Sequence, residues 1–252
     1  MTNDFSGKTA IVTGAGSGIG AAIARELALR GAAVMIADRD EATLEQVQRA
    51  ISGAGGTVKA HRVDVANERD IEALVAATLK AYGGLDLAVN NAGIGGPSAA
   101  TAEYPSDGWR QVLSVNLDGV FFGLKHQIGA MMSKGGGGAI VNMASILGAV
   151  GFANAPAYVA SKHAVVGLTK TAAIEYAAHN IRINAVGPGF IDTPLVTKSI
   201  DASALPAIAA MHPMGRLGTV EEVSALTCFL LSDAAGFITG SYHLVDGGYV
   251  AR

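Results

Sequence analysis

The chain has 252 residues, of which 50% are hydrophobic and 15% charged, and its formal net charge is −3. This length suits a single α/β domain, and the small charge argues against binding to nucleic acid or anionic lipid. The one cysteine, Cys228, excludes an intramolecular disulfide and every multi-cysteine metal site. The polar start leaves no room for a signal peptide, and no run of about 18 apolar residues could cross a bilayer. We therefore expect a cytoplasmic protein with no nucleic-acid or membrane partner.

Short apolar segments alternate with helical patterns along the first half of the chain. The first segment, Thr9–Thr13, is followed by a glycine-rich stretch and by a helical pattern that ends at Gly31. The later predicted strands are 33–37, 57–63 and 85–90, and the later predicted helices are 41–51 and 68–82. The second segment ends at Asp38, the third is followed by Asp64, and the fourth leads into Asn91.

The second half repeats this alternation. A long helix is predicted over about 107–132, a strand over 139–144, and a helix that begins near Pro156, a residue favoured in the first helical turn. The remaining predictions are a strand over 181–186, a helix over 220–231 and a strand over 242–245. Such alternation is typical of βαβ units. We predict a single dinucleotide-binding catalytic domain over 1–252, with a Rossmann-like, doubly wound α/β fold of about seven parallel strands and helices on both faces.

Glycines mark the junction between the first strand and the first helix. Gly14, Gly18 and Gly20 would let backbone N–H groups and the helix N-terminus hold a pyrophosphate. At the end of the second strand, Asp38 could hydrogen-bond ribose hydroxyls and would repel a 2′-phosphate, although Arg39 could offset that repulsion. This pattern favours NAD over NADP. Taken alone, Asp38 fits a solvated charge at a strand end better than a ribose ligand.

Tyr158 and Lys162 lie four residues apart and so share one face of the predicted helix. A neighbouring ammonium favours phenolate, which predicts a Tyr158 pKa below its usual value near 10. A hydroxyl from Ser145, at the preceding strand end, could bond an oxygen beside the phenol. The spacing alone also fits a half-buried tyrosine and a surface lysine on an ordinary helix.

Taken together, these motifs resemble the classical short-chain dehydrogenase/reductase family. The resemblance rests on Thr13-Gly-x-x-x-Gly-x-Gly20, Asn90-Asn-Ala-Gly93, Ser145 and Tyr158-x-x-x-Lys162, and it runs from about residue 7 to the end. It implies a catalytic tetrad of Asn116, Ser145, Tyr158 and Lys162. Tyr158 would be the general acid or base, Ser145 would polarise the substrate oxygen, and Lys162 would lower the Tyr158 pKa and hold the nicotinamide ribose. Asn116 would hold a water that links Lys162 to solvent.

The resemblance also implies cofactor contacts beyond the glycine loop. Asp64 and Val65 would flank the adenine, and the segments 91–93 and 188–193 would border the adenosine and nicotinamide ends. The full predicted cofactor set is Gly14, Ser17, Gly18, Ile19, Gly20, Asp38, Asp64, Val65, Asn91, Ala92, Gly93, Tyr158, Lys162, Pro188, Gly189, Ile191 and Thr193. No metal site is predicted, because no pair of histidines has metal-ligand spacing.

The substrate pocket is expected between 146–154, the region after Gly93, and a lid-like insertion over about 190–216. Apolar residues of the insertion suggest an apolar ketone or alcohol, or else contacts with the protein or another subunit: Leu195, Val196, Leu205, Ile208, Met211 and Met214. The segment 212–222 resembles the 3-oxoacyl-carrier-protein reductase branch, whose members mostly use NADP, and Asp38 argues against that role.

These observations predict an NAD-dependent oxidoreductase that interconverts a small-molecule secondary alcohol and a ketone. One alternative is an NADP-linked 3-oxoacyl-[acyl-carrier-protein] reductase, and hydroxysteroid or sugar substrates also stay open. A non-catalytic dinucleotide sensor is a third hypothesis, which the complete tetrad argues against, since binding alone needs no proton relay. The resemblance further implies a homotetramer, whose interfaces would use the long helices and the strand 242–245.

Overall fold

Seven parallel strands form the sheet around which the chain is arranged. The computed structural model describes residues 4–194, 196 and 202–251. Its strands are β1 (Thr9–Thr13), β2 (Ala33–Asp38), β3 (Thr57–Arg62), β4 (Leu87–Asn90), β5 (Gly138–Met143), β6 (Ile181–Pro188) and β7 (Tyr242–Val245). Their order in the sheet is β3-β2-β1-β4-β5-β6-β7, and every neighbouring pair is parallel. The predicted fold class is confirmed.

Helices cover both faces of this sheet. They are α1 (Gly18–Leu29), α2 (Glu41–Gly53), α3 (Glu68–Tyr82), α4 (Ser106–Leu113), α5 (Gly119–Ser133), α6 (Pro156–Tyr176), α7 (Leu205–Ala210) and α8 (Val220–Leu231). The helices α1, α2 and α8 bury apolar side chains against one face, and α3, α5 and α6 against the other. Because both faces are covered, the central strands β1, β4 and β5 are buried along nearly their whole length rather than at alternate residues. No helix among the described residues is both long and apolar enough to cross a membrane.

Local signals in the sequence set several helix ends. Asp40 and Asn67 cap α2 and α3 by accepting backbone N–H bonds, and Thr219 and Glu222 form a reciprocal capping box at α8. Gly83 ends α3 with a φ of 84°, which glycine adopts without the penalty other residues incur. These caps explain why the boundaries of those helices follow the sequence pattern closely.

The long helix predicted over 107–132 differs from the structure in one respect. Its span is nearly as expected, but a π-helical segment, Ser114–Asp118, separates α4 from α5. One extra residue in a turn widens the helix, and such widened turns often lie at functional sites. Here the widened turn contains the buried Asn116.

The sheet has its topological switch point between β1 and β4. From β1 the chain proceeds outward through β2 and β3, and then returns to place β4 on the other side of β1. In open α/β sheets, the crevice at the carboxyl ends of the strands around such a point is where ligands bind. Thr13, Asp38, Asn90 and Met143 end four of these strands at that edge.

Candidate active site

The glycine-rich turn joins β1 to α1 at this crevice. Gly14 has a φ of 63°, and a Cβ built on Gly20 would lie 2.2 Å from the carbonyl oxygen of Gly14. The loop can therefore fold tightly onto the first helical turn only because residue 20 lacks a side chain. Ser17 is the N-cap of α1, and its side chain accepts no bond from the helix. The N–H groups of the first turn are thus left for another acceptor, as an anion site requires.

Thr13 and Asn91 hold this loop in place from the ends of β1 and β4. The Thr13 hydroxyl accepts from the Asn91 and Ala92 N–H groups, at 3.0 and 3.3 Å. The Asn91 side chain in turn donates to the carbonyl oxygens of Thr13 and Gly14, at 3.0 and 3.2 Å. These hydrogen bonds span the switch point and fix the glycine loop relative to the sheet.

Asp38 lies at the end of β2 beside the glycine loop. One of its carboxylate oxygens accepts from the Gly16 N–H at 3.0 Å, and the other accepts from the Asp40 N–H at 3.2 Å. Two backbone donors therefore fix the carboxylate in the wall of the crevice. Arg39 borders the same space, so one cation lies near the Asp38 charge.

A cavity of about 380 Å³ opens along this edge of the sheet. It joins the glycine loop, the ends of β2 and β3, and the turn after β4. Eleven of the predicted cofactor residues border it: Gly14, Ser17, Gly18, Ile19, Asp38, Asp64, Val65, Asn91, Ala92, Gly93 and Thr193. Gly20 does not, since it lies behind the loop in the close contact with Gly14.

Tyr158 and Lys162 face a second cavity from the first turns of α6. Pro156 starts this helix, as the sequence predicts. The Lys162 ammonium nitrogen lies 5.5 Å from the centre of the Tyr158 ring and donates to the carbonyl oxygen of Met143 at 2.7 Å. Only 3% of the Lys162 surface is exposed, so this is a buried lysine rather than a surface one.

Burial has opposite effects on the two groups. It raises the pKa of the Tyr158 phenol, and the hydrogen bond from Ser145 lowers it by less. Burial also lowers the pKa of Lys162 to about 8. The expectation that the ammonium depresses the Tyr158 pKa is therefore wrong for the protein without a ligand, because removal from water dominates.

Asn116 is buried behind this pair. Its side-chain carbonyl accepts from the Ile94 N–H at 2.8 Å, and its amide donates to the Ile94 carbonyl oxygen at 2.9 Å. A Cβ on Gly93 would lie 3.3 Å from the Asn116 oxygen and 3.6 Å from the Lys162 nitrogen. The structure thus brings Asn116, Lys162 and the turn after β4 together at one point. The Asn116 side chain is occupied in holding that turn.

Ser161 contributes to this cluster and was missed in the sequence. Its hydroxyl is fully buried, donates to the Tyr158 carbonyl oxygen at 2.7 Å and accepts from the Asn116 amide at 3.3 Å. It therefore links α6 to the widened turn. Ser161 lies one residue before Lys162 and on the buried side of the helix. That position is the feature of the sequence from which its role could have been predicted.

The second cavity measures about 310 Å³, and its walls come from the three predicted regions. One wall is 95–98, after Gly93. A second is formed by 144–147 and 152–155, and a third by residues of 188–196. Ile19, Asn91, Gly93 and Thr193 border both cavities, so the two are adjacent. The predicted residues Tyr158, Lys162, Pro188, Gly189 and Ile191 border the second one.

The insertion over 190–216 forms less of this wall than predicted. Val196 borders the cavity, whereas Leu205, Ile208 and Met211 are half-buried outside it and Met214 is 63% exposed. Leu195 lies outside the described residues. An apolar lid made of all six residues is thus not what the structure describes.

Aromatic rings extend the cavity wall toward the end of the chain. Phe190 packs against Phe152, His212 and Tyr249, with ring centres 5.9, 5.8 and 6.1 Å away. His212 is buried, and its Nε2 accepts from the Phe190 N–H at 3.2 Å. Its Nδ1 is 3.1 Å from the Ile208 carbonyl oxygen, so this nitrogen carries the proton. His212 therefore ties α7 to the cavity wall.

The donor set fits a nicotinamide dinucleotide. The glycine loop offers free N–H groups for phosphates, Asp38 offers a carboxylate for ribose hydroxyls, and the second cavity, which Tyr158 borders, adjoins the first. Ser145 and Tyr158, which both carry a hydroxyl, border the second cavity. The arrangement can hold the C–O group of a substrate beside a hydride carrier and exchange one proton with the substrate oxygen.

Comparisons with known proteins agree with this geometry. A family model described as enoyl-(acyl carrier protein) reductase matches residues 14–250. The chain is 45% identical over 252 residues to a cyclohexanol dehydrogenase from Acinetobacter sp. (strain SE19), covering 100% of this chain and 98% of that protein. It is 47% identical to a cis-4-hydroxycyclohexanecarboxylate dehydrogenase from Sinomonas cyclohexanicum, covering 100% of both chains. A crystal structure of a single-substitution variant of actinorhodin polyketide ketoreductase with NADPH superimposes with a TM-score of 0.93 at 37% identity, covering 100% of both.

Proposed function

Because the chain belongs to the classical short-chain dehydrogenase/reductase family, we propose that it oxidises neutral alicyclic secondary alcohols to ketones with NAD. It is an oxidoreductase that acts on CH–OH donors with a nicotinamide dinucleotide. The ring substrate, the choice of NAD and the residue roles below are the parts that we propose. The observation that carries them is a mainly apolar cavity that Ser145 and Tyr158 both border and that shares lining residues with the Asp38 crevice.

The chemistry divides among four residues. When bound, the nicotinamide supplies the hydride acceptor for oxidation and the hydride donor for reduction. Ser145 hydrogen-bonds the substrate oxygen, and Tyr158 takes its proton in oxidation and returns it in reduction. Lys162 stabilises the phenolate by its charge and holds the nicotinamide ribose. Asn116, at the widened turn, positions a water through which Lys162 exchanges protons with solvent.

The Tyr158–Lys162 pair predicts a pH profile. Oxidation requires that the Tyr158–Lys162 pair has lost one proton. Burial lowers the pKa of Lys162 to about 8, so we expect the pair as a whole to lose its first proton near pH 8. We expect kcat/KM for alcohol oxidation to rise with pH up to about 8 and then level off. Ketone reduction requires the proton and should fall over the same range. Initial rates in both directions between pH 6 and 10 check this, and parallel profiles would contradict it.

Asp38 supports NAD over NADP, because a fixed carboxylate disfavours a 2′-phosphate beside it. Changing Asp38→Ser removes that charge, and we expect the ratio of kcat/KM for NAD to that for NADP to fall by roughly 100-fold. Asp40→Ser is the matched control, since it removes a neighbouring carboxylate outside the cavity and serine still caps α2. An unchanged ratio in Asp38→Ser would contradict the ribose contact.

The lining of the second cavity favours a neutral substrate. Among the described residues that border it, Lys162 alone carries a charge, and its nitrogen is already bonded to the Met143 carbonyl oxygen. A carboxylate placed against Phe152, Leu147 and Val196 would lose its hydration without gaining a cation. The relatives named for ring alcohols support a substrate with a ring, and the lining of the second cavity supports a substrate without a charge.

A substrate panel tests the proposal. Cyclohexanol, cis-4-hydroxycyclohexanecarboxylate, a 3β-hydroxysteroid and a 3-hydroxyacyl thioester are each assayed with NAD and with NADP. We expect the highest kcat/KM for cyclohexanol with NAD, and a value at least about tenfold lower for the carboxylated ring. A preference for the thioester with NADP would support the 3-oxoacyl reductase alternative instead, and binding without turnover of any substrate would support the sensor.

Three further expectations from the sequence stay predictions. The homotetramer can be tested by size-exclusion chromatography with light scattering, and the cytoplasmic location by cell fractionation. The single domain over 1–252 predicts one cooperative unfolding transition that different probes report at the same temperature.

A further inference from the structure

Tyr242 connects the last strand of the sheet to the candidate active site. It is the first residue of β7, and its hydroxyl donates to the backbone carbonyl oxygen of Ser145. Its ring packs directly over Gly187 in β6, where a Cβ would come within 2.5 Å of the ring atom Cε2 and of the hydroxyl oxygen. β6 thus leaves the space that this ring fills. These contacts go beyond the interface role that the sequence suggested for 242–245.

Ser145 has further hydrogen bonds within its own turn. Its carbonyl oxygen also accepts from the Gly148 N–H at 2.8 Å, and its side-chain oxygen accepts from the Leu147 N–H at 3.2 Å. Both donors belong to the turn that Ser145 itself begins, so they shape the turn without fixing where it lies. The bond from Tyr242 comes from a different strand, 97 residues along the chain. It fixes the start of the turn against the sheet.

We propose that Tyr242 is a positioning residue that holds Ser145 where its hydroxyl meets the substrate oxygen. This inference rests on the proposed role of Ser145 in the reaction. The Ser145 side chain accepts from the Leu147 N–H and borders the same cavity as Tyr158, so a shift of the Ser145 backbone moves its hydroxyl relative to Tyr158. Misplacement of a reacting group by about 1 Å can reduce turnover by roughly 100-fold.

The surroundings of Tyr242 keep its hydroxyl protonated, so that it stays a hydrogen-bond donor. Burial, and after it the negative charges of Asp246 and of an ionised Tyr158, raise the pKa of Tyr242 to about 12. Its hydroxyl therefore keeps its proton over the pH range in which the enzyme works. When Tyr158 ionises during the reaction, Tyr242 stays neutral and its bond to Ser145 is kept.

Tyr82 provides a matched control within the same chain. It too is half-buried, its hydroxyl donates to a strand carbonyl, that of Val34 at 3.2 Å, and burial raises its pKa to about 12. It lies at the end of α3 and borders neither cavity. Changing either tyrosine to Phe removes one phenol–carbonyl bond and keeps the ring. A purely structural role for Tyr242 predicts that the two variants behave alike.

The test compares Tyr242→Phe and Tyr82→Phe in the full-length enzyme with cyclohexanol and NAD. We expect Tyr242→Phe to lower kcat roughly tenfold with KM within twofold, because the lost interaction matters in the transition state. Tyr82→Phe should leave kcat within twofold, while the thermal midpoints of the two ligand-free variants fall by similar amounts. Equal kcat values in the two variants would overturn the inference.

Combining Tyr242→Phe with Ser145→Ala tests whether Tyr242 acts through Ser145. Ser145→Ala should itself lower kcat by roughly 100-fold, and adding Tyr242→Phe to it should cost less than twofold more, measured at high enzyme concentration. If Tyr242→Phe costs the same tenfold in both backgrounds, Tyr242 does not act through Ser145. If Ser145→Ala keeps full activity, the proposed role of Ser145 fails, and this outcome is distinct from a failure of Tyr242→Phe alone.

Discussion

Replacing Tyr158 with Phe is expected to lower kcat for alcohol oxidation by roughly 1000-fold, since proton transfer by a positioned side chain contributes about 10²–10⁴. The ring of Phe fills the same volume, and the glycine loop, Asp38 and Lys162 keep their proposed contacts with the dinucleotide, so the Kd for NAD should stay within a few-fold. Fluorescence titration measures the binding and steady-state assays measure the rate.

Tyr176→Phe serves as the control for this substitution, because Tyr176 lies at the other end of α6 and borders neither cavity. It should keep full turnover. Substantial residual activity in Tyr158→Phe would refute the acid–base assignment, and loss of NAD binding would mean that the hydroxyl is needed for the cofactor instead.

Replacing Lys162 with Met is expected to separate activity from stability. Turnover should fall by at least about 100-fold, because the phenolate loses the charge that stabilises it. The ligand-free protein should nevertheless become more stable at pH 7. Its lysine has a pKa of about 8 in the folded state against 10.5 when unperturbed, so carrying the charge in the folded protein costs about 3 kcal/mol. Leaving the Met143 carbonyl oxygen without its donor offsets about 1 kcal/mol of that gain.

The pH dependence of this gain follows from the sign of the shift. Between about pH 8 and 10.5 the unfolded chain binds a proton at Lys162 that the folded chain does not, so the parent protein gains stability as the pH rises. The advantage of Lys162→Met is therefore full below pH 8 and lost by about 10.5. Thermal unfolding of the ligand-free proteins at pH 7 and pH 10 measures it. Lys170→Met, at an exposed position of α6, should change neither property, and a lower midpoint for Lys162→Met at pH 7 would contradict the burial argument.

Much of the candidate site could be predicted from local sequence, because strand ends and helix spacing place side chains directly. Asp38 follows an apolar strand and so had to lie at the carboxyl edge of the sheet. Tyr158 and Lys162 share a helix face because they are four residues apart. The phosphate-binding role of the glycine loop could be predicted because the loop lies between β1 and α1.

Other features depend on tertiary neighbours that local sequence does not encode. Tyr242 looks like an ordinary strand aromatic, and only the order of β5, β6 and β7 brings it to Ser145. The rise in the Tyr158 pKa depends on how fully the surrounding elements exclude water, which the spacing to Lys162 cannot show. The π-helical turn at Asn116 likewise follows from the bonds between its side chain and the Ile94 backbone.

The walls and the base of the second cavity belong to different parts of the fold. Ser145, Tyr158 and Lys162 lie at a strand end or within α6, whereas the wall segments 95–98 and 152–155 are connections that add no residue to either apolar core. Substitutions in these two segments should therefore change which alcohol fits while costing little folding free energy. Gly96 is the exception, because its φ is 78° and a Cβ there would lie 2.4 Å from the Val112 side chain. A lineage, or a directed-evolution library, could exchange one substrate for another here without first acquiring stabilising mutations elsewhere.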